Sequence, residues 1–492
     1  MFRTLRWYTQ SFYKKHKAVL GSSVIGGIVL MLILSQVLKY IPLIKQTRYV
    51  GRVGRFTLAQ IPRDIQDKMS VGLTRTLEDG EVVPALASAF RSEESGKAYR
   101  FTIRPGITWQ DGKSVSTDDI NYSFADTQVS RSQNDIVFRT VAKKQDETAQ
   151  EPVLPTSFTS IVSQPLFRRV DTRNIFFQKR QHIIGLGEYR MVSLVSTAAG
   201  IQELTIESDT IRIVYRFFPT EHAAIVAYKR GEVDELEGMS DLEDITANAS
   251  QKITEVSRPD QFIGIFFNLT YKDGENMVFA SKQLRQALNY ALTKPSEHRV
   301  VGPIPSVSWA AVKDAQDLDL FTKDKAQAID LLLKAETPTK LTIDLQTSPA
   351  YTAIADQVKK EWEELGDDTA AKCAQSNDIP KDQCENKRIR VTERINGFVD
   401  TTNFAVLIAG QQIPKDPDQY NLWHSTQATN ITHYKNPKID KLLEDGRRST
   451  ERDERRLIYQ EFERLLIKDV PVIFWQSVQT KTVVRTRHLP IL

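Results

Sequence analysis

Thr220-Glu-His-Ala-Ala-Ile-Val-Ala-Tyr-Lys-Arg-Gly231 reads as one complete helix. Thr220 opens it, Glu221 sits in its first turn, Ala224, Val226 and Ala227 line its body, Lys229 and Arg230 fill the last turn, and Gly231 stops it. Upstream, Tyr99-Arg-Phe-Thr-Ile103 alternates apolar and polar residues and runs into Arg104-Pro-Gly106, the pattern of a half-buried strand and its turn. Segments of these two kinds follow one another to the end of the chain without an internal repeat, which points to α/β lobes. At 492 residues the chain is too long for a single core, so two or three lobes are expected.

Further helices and strands are marked by their apolar spacing. Leu284, Ala287, Leu288 and Ala291 recur at i, i+3, i+4 and i+7, and Ile354, Val358, Trp362 and Leu365 form a second stripe predicted to end at Gly366. Thr450 to Asp453 reads as a capping box ahead of Leu457, Phe462 and Leu465, and Pro471 then hands the chain to a strand at Val472-Ile-Phe-Trp475. These stripes are core faces and carry no chemistry.

Charge is unevenly placed. Residues 1–55 hold ten Lys and Arg and no acid; removing those ten from 66 leaves 56 basic against 62 acidic side chains, so the body is mildly acidic at −6. The alkaline isoelectric point describes a tail, and a nucleic-acid-binding surface loses its support. Within the tail, residues 18–38 run 21 positions without a charge. As a helix rising about 1.5 Å per residue, such a run spans the hydrocarbon layer once. It is long for a signal peptide and no clear small-x-small cleavage site follows, so an uncleaved signal-anchor is the reading. Five basic residues precede the span and five follow it closely, so charge alone leaves the orientation open.

No HExxH, GxSxG, GxGxxG or GxxxxGK[ST] occurs, so the common hydrolase, dinucleotide and P-loop signatures are missing. Seven His are scattered; His424 and His433 have a spacing that fits no usual ligand pattern, and no metal site is expected. Cys373 and Cys384 bound a polar loop that a disulfide could close in an oxidising compartment, and two free thiols are the equal alternative.

The order of short motifs is more telling. Glu78-Asp-Gly-Glu-Val-Val-Pro-Ala-Leu-Ala87 is followed by Tyr99-Arg-Phe-Thr-Ile-Arg-Pro-Gly106, Trp109-Gln-Asp-Gly-Lys113 and Thr117-Asp-Asp-Ile-Asn-Tyr-Ser-Phe124. Then come Ile184-Gly-Leu-Gly-Glu-Tyr189, Gly264-Ile-Phe-Phe-Asn268, Gly302-Pro-Ile-Pro305, Asp416-Pro-Asp-Gln-Tyr-Asn-Leu-Trp-His-Ser425 and Tyr434-Lys-Asn-Pro-Lys-Ile-Asp-Lys-Leu-Leu443. From about Leu73 to Val484 this series resembles the family 5 solute-binding proteins, the oligopeptide and dipeptide receptors of ABC importers. Leu186 and Glu188 depart from the family's G-T-G-P-Y crossing segment.

The resemblance implies an α/β, bilobal, hinge-closing fold of the periplasmic-binding type (type II), working outside the cytoplasmic membrane. The expected organisation is a basic cytoplasmic tail at 1–17, a transmembrane signal-anchor at 18–38 and a linker at 39–49. Lobe I would take 50–270 plus 470–492, with the family's extra subdomain at about 80–180, and lobe II would take 271–469. The implied protein is a monomeric receptor, without cofactor or catalytic residues, that captures peptide between its lobes and delivers it to the permease subunits of an ABC importer. Alternatives are a receptor for a metal chelate, haem-like compound or sugar, and an anchored chaperone or sensory protein.

Candidate ligand contacts are Gln411, Gln412, Ile413, Lys415, Asp416, Asp418, Trp423 and Tyr189. Peptide-binding relatives commonly carry an Asp three residues before the acid of the D-P pair, where it meets the ligand's α-amino group; here that position is Ile413. Asp416 or Asp418 could serve as a shifted anchor, Gln411 and Gln412 could hydrogen-bond a neutral solute, or Asp416-Pro417 could merely shape a turn. Trp423 and Tyr189 could each be pocket wall or core, and Gly185 and Gly187 are expected to serve backbone geometry.

Overall fold

The computed structural model describes residues 45–486 apart from 142–152, 174–178, 244, 315–316, 337–340, 376–383 and 398, and before them 15–17, 19, 22–23 and 26–31. The 1–17 tail, the 18–38 apolar run and the start of the 39–49 linker thus lie largely outside the described residues. Among the described residues, no helix is long and apolar enough to cross a membrane.

The strands used below are, in chain order, β1 (Gln46–Val53), β2 (Ala87–Glu93), β3 (Ala98–Ile103), β4 (Thr127–Arg131), β5 (Asp135–Thr140), β6 (Arg190–Thr197), β7 (Gly200–Glu207), β8 (Ile211–Phe218), β9 (Glu235–Met239), β10 (Gln251–Phe267), β11 (Leu341–Thr347), β12 (Ile389–Ile395), β13 (Val406–Gln412) and β14 (Val472–Arg485). The helices are α1 (Glu221–Lys229), α2 (Lys282–Ala291), α3 (Thr352–Gln375), α4 (Pro437–Arg448) and α5 (Arg452–Asp469).

Ten strands form one sheet in the order β6-β7-β8-β1-β9-β14-β10-β13-β11-β12. β10 is the key to it: its 17 residues at roughly 3.3 Å each give about 56 Å, enough to run through two lobes. Its first half pairs antiparallel with β14 from Gln251↔Arg485 to Arg258↔Val478; after a register shift, Phe262 to Phe266 pair with the start of β14 and with β13. Before the shift Ile253 packs on the Val483 cluster, and after it Phe262 and Phe266 join the cluster that holds Val406 and Phe474.

Each lobe has its own core. In lobe I, Val50, Ile65, Ile206, Tyr215 and Phe217 pack together in one buried cluster, and Ala224, Ile225, Tyr228, Leu236 and Val483 in another. Thr220 caps α1 by accepting the Ala223 N–H at 3.2 Å, and Gly231 takes φ +75°. A subdomain built on the antiparallel sheet β2-β3-β5-β4 encloses Phe101, Phe138, Phe158 and Trp109, with Tyr99, Phe101 and Ile103 of β3 all buried. Lobe II buries Phe266, Phe267, Leu288, Trp362 and Val406 in one cluster, which also takes in Phe474 and Trp475 of β14.

Two sequence expectations change. α3 does not stop at Gly366 but continues to Gln375, because that glycine serves close packing: a β-carbon there would stand 2.2 Å from the Ile389 nitrogen of β12. α5 starts after Glu451 with no side-chain cap, so the Thr450 to Asp453 box is not formed; Leu457 is 66% exposed, and Tyr459, Phe462, Leu466 and Ile467 form the buried face. Cys373, near the end of α3, is joined to Cys384 by a disulfide, with both residues buried.

Candidate ligand-binding cleft

β13 delivers the segment 411–423 to the junction of the lobes. Gln411 is half-buried and Gln412 exposed, and the Gln411 side-chain amide donates to the Gln412 carbonyl at 2.9 Å. Ile413 turns inward: it is 4% exposed within the lobe II core, and its N–H reaches the Asp260 carbonyl at 2.9 Å. Its side chain therefore faces core, not cleft. Trp423 is likewise core, 3% exposed, with Nε1 donating to Gln419 Oε1 at 3.2 Å. Tyr189 packs on the lobe I core, and its carbonyl accepts from Gln110 at 2.9 Å. Gly185 and Gly187 lie against the Met69 and Lys68 carbonyls, where a β-carbon would come within 2.0 and 2.6 Å.

The structure gathers Lys415, Asp416 and Asp418 at the contact between the lobes. Asp416 Oδ1 accepts from Arg455 Nη2 at 2.9 Å and from the Asp418 N–H at 3.0 Å. Asp418 Oδ2 accepts from Arg447 Nε at 2.8 Å and from Ser157 Oγ of the subdomain at 2.6 Å, while Oδ1 accepts the Tyr420 N–H at 3.0 Å. Beside it, Thr156 donates its N–H to the Arg447 carbonyl at 2.8 Å and its hydroxyl to the Ser449 carbonyl at 2.8 Å. A second junction lies at Glu78 to Glu81: the Trp309 N–H reaches the Asp79 carbonyl at 2.9 Å, Lys415 pairs with Glu78 at 2.8 Å and Arg452 with Glu81 at 3.3 Å.

These ion pairs are not equal. Glu78 is 83% exposed, and such surface pairs contribute about 0–1 kcal/mol. Asp416 and Arg455 expose 5% and 7% of their side chains, so breaking that pair by removing one partner costs about 3–5 kcal/mol. Burial pushes the Asp416 carboxyl up, against the pull of Arg455. Burial also works against the Arg455 charge, but Asp416 outweighs it and the guanidinium is held above its usual value. Both arginines rest on aromatic faces, Arg455 at 5.5 Å from the Trp309 ring and Arg447 at 4.1 Å from Tyr420.

Ser157, Thr156, Trp309, Arg447 and Arg455 were not legible as site residues. An arginine in a polar helix reads as solvated until the opposing acid is placed beside it. Glu78 to Gly80 are legible in the sequence only as part of a family motif. His424 is buried beside Glu444 at 3.5 Å and His433 is exposed; among the described residues, no group of His, Cys, Asp and Glu is placed to hold a metal ion. A cavity of about 550 Å³ opens on lobe I, lined by Arg55, His182, Ser193 and Thr197 among others, and none of the predicted contact residues lines it.

Comparison with known proteins gives a consistent result. The family model described as bacterial extracellular solute-binding proteins, family 5, matches residues 81–432. The oligopeptide-binding protein AppA of Bacillus subtilis is 22% identical over 483 residues, covering 86% of this chain and 85% of its own. The structure of AppA from Bacillus subtilis in complex with a nonapeptide matches with a TM-score of 0.60 at 18% identity, over 90% of this chain and 95% of that one. NikZ from Campylobacter jejuni, in complex with Ni(L-His), matches with a TM-score of 0.64 at 19% identity, over 90% and 94% of the two chains.

Proposed function

The chain belongs to the bacterial extracellular solute-binding proteins of family 5, which are receptors and not enzymes, and from that premise we propose that it is a membrane-anchored receptor delivering oligopeptides to an ABC permease. The observation that carries this reading is the pair of strands β10 and β14, continuous through both lobes and shifted in register between them. Two lobes joined that way can part and close about the shared strands. An extended peptide between them can satisfy its backbone groups by strand-like pairing, while its side chains enter pockets that need not be selective. The curated relatives named for oligopeptides and dipeptides support peptide as cargo.

In this reading lobe I spans 50–270 plus 470–492 and lobe II spans 271–469, the shared strands lending side chains to both cores. The 18–38 run anchors the receptor, with 1–17 inside the cell and the lobes outside as a monomer. Of that run, the described residues Val19, Ile28, Leu30 and Met31 are helical and exposed, as an apolar surface awaiting lipid would be.

The second reading, a non-peptide solute, is favoured by Ile413, which removes the acid expected at the ligand's amine, and by the likeness to a Ni(L-His)-bound protein. Mass spectrometry of molecules released by denaturing the purified ectodomain separates the two. Recovered peptides support the first reading. A chelate or sugar supports the second, and an empty protein that gives no thermal shift with a peptide library favours an anchored role apart from transport.

A further inference from the structure

Asp416 and Asp418 are the acids next in line for a ligand's ammonium group once Ile413 has withdrawn into the core. Both carboxyls are buried and already paired with arginine, their side chains 5% and 6% exposed. Asp416 is 4% exposed, and its Oδ1 is shared by Arg455 and the Asp418 N–H. Asp418 uses both oxygens on three donors, Arg447, Ser157 and the Tyr420 N–H. An incoming ammonium would have to displace a guanidinium that is itself buried or stacked on an aromatic ring, leaving that cation without its acid. Of the neighbouring acids, Glu78 pairs with Lys415, Glu81 with Arg452 and Asp260 with Arg258 at 3.5 Å, while Asp79 Oδ1 accepts the Glu81 N–H at 3.0 Å within its own loop.

The partners of Asp418 come from opposite sides. Arg447 belongs to α4 of lobe II, whereas Ser157 belongs to the subdomain of lobe I, so the carboxylate is a bolt between the lobes. Resting on the peptide-receptor reading above, we infer that Asp416 and Asp418 lock the lobes together and do not read the ligand's amino terminus, so that this receptor takes peptides whether or not their α-amine is free. The cargo class then includes amino-terminally blocked peptides as readily as free ones, with affinity arising from main-chain pairing along the ligand.

The test is calorimetry on the ectodomain with a lysine-free pool of random pentapeptides and with the same pool acetylated at the amino terminus. The expected apparent affinities agree within about threefold. A loss of tenfold or more on acetylation overturns the inference while leaving the peptide reading intact. If neither pool binds, the peptide reading fails and the inference falls with it. The Asp418→Asn variant, checked for folding by circular dichroism, gives a second readout. Weakening both pools by the same factor fits a lock, whereas weakening the free-amine pool alone identifies Asp418 as an amine anchor and overturns the inference.

Discussion

Gly80, in the lobe I subdomain, lies so close to lobe II that a β-carbon on it would stand 2.2 Å from the carbonyl oxygen of Lys415. Its φ of +86° adds a backbone reason for glycine. Neither constraint involves the cores of the lobes. Gly80→Ala should therefore leave both lobes folded but hold them apart, at a local backbone cost of about 1 kcal/mol. Small-angle scattering of the variant should show a larger radius of gyration, with an unchanged circular dichroism spectrum. An unchanged radius would mean that the contact yields without resistance.

Asp416 and Arg455 form the buried pair on which the same junction rests. Asp416→Ala strands a buried guanidinium and should cost about 3–5 kcal/mol in denaturant unfolding. Asp416→Asn keeps an acceptor and should cost less. Lys415→Ala, which breaks only an exposed pair, should stay within about 1 kcal/mol of the parent. If Asp416→Ala proved as mild as Lys415→Ala, the pair would not be buried in solution.

Glu463 of α5 is 2% exposed, and burial pushes its carboxyl from 4.5 up to about 7, against the hydrogen bond it accepts from the Val312 N–H. A folded acid with a raised pKa binds its proton more tightly than the unfolded chain does. Its contribution to stability is thus complete below pH 4.5 and is lost as pH rises through about 7. The loss amounts to about 3 kcal/mol. Glu463→Gln keeps an acceptor for Val312 without a proton to lose. It should match the parent near pH 4.5 and exceed its stability by up to about 3 kcal/mol at about pH 8. A difference that did not vary with pH would show that the carboxyl is not buried as described.

What the sequence disclosed follows from the range of the interactions involved. The ends of α1 were legible because Thr220 and Gly231 act within one turn of the helix they bound. The stripe Leu284, Ala287, Leu288 and Ala291 was legible because all four positions face one core. Gly366 misled because its close partner, Ile389, is remote in sequence, and a missing β-carbon looks the same in a helix stop as in a tight contact. In the cleft, Ile413 was singled out for what it lacks, but its inward turn depends on β13 pairing with β10. The lock was hidden for the same reason: Ser157 and Asp418 are 261 positions apart.

The tether gives the last prediction. Six residues, or seven chain steps, separate Leu38, the end of the apolar run, from Lys45, where the described chain resumes ahead of β1. Fully extended, they reach at most about 25 Å. If the 18–38 run anchors the receptor as proposed, its permease-facing surface is confined near the bilayer, and confinement replaces the need for a tight complex. The full chain should therefore stay with the membrane fraction through a carbonate wash, while a chain starting at Lys45 should be soluble and bind the same ligand. Transport should fall in cells that make the shortened chain, and should return if residues 1–44 are replaced by an unrelated single-pass anchor with a linker of the same length. Full transport by the untethered chain would show that the anchor serves some purpose other than delivery.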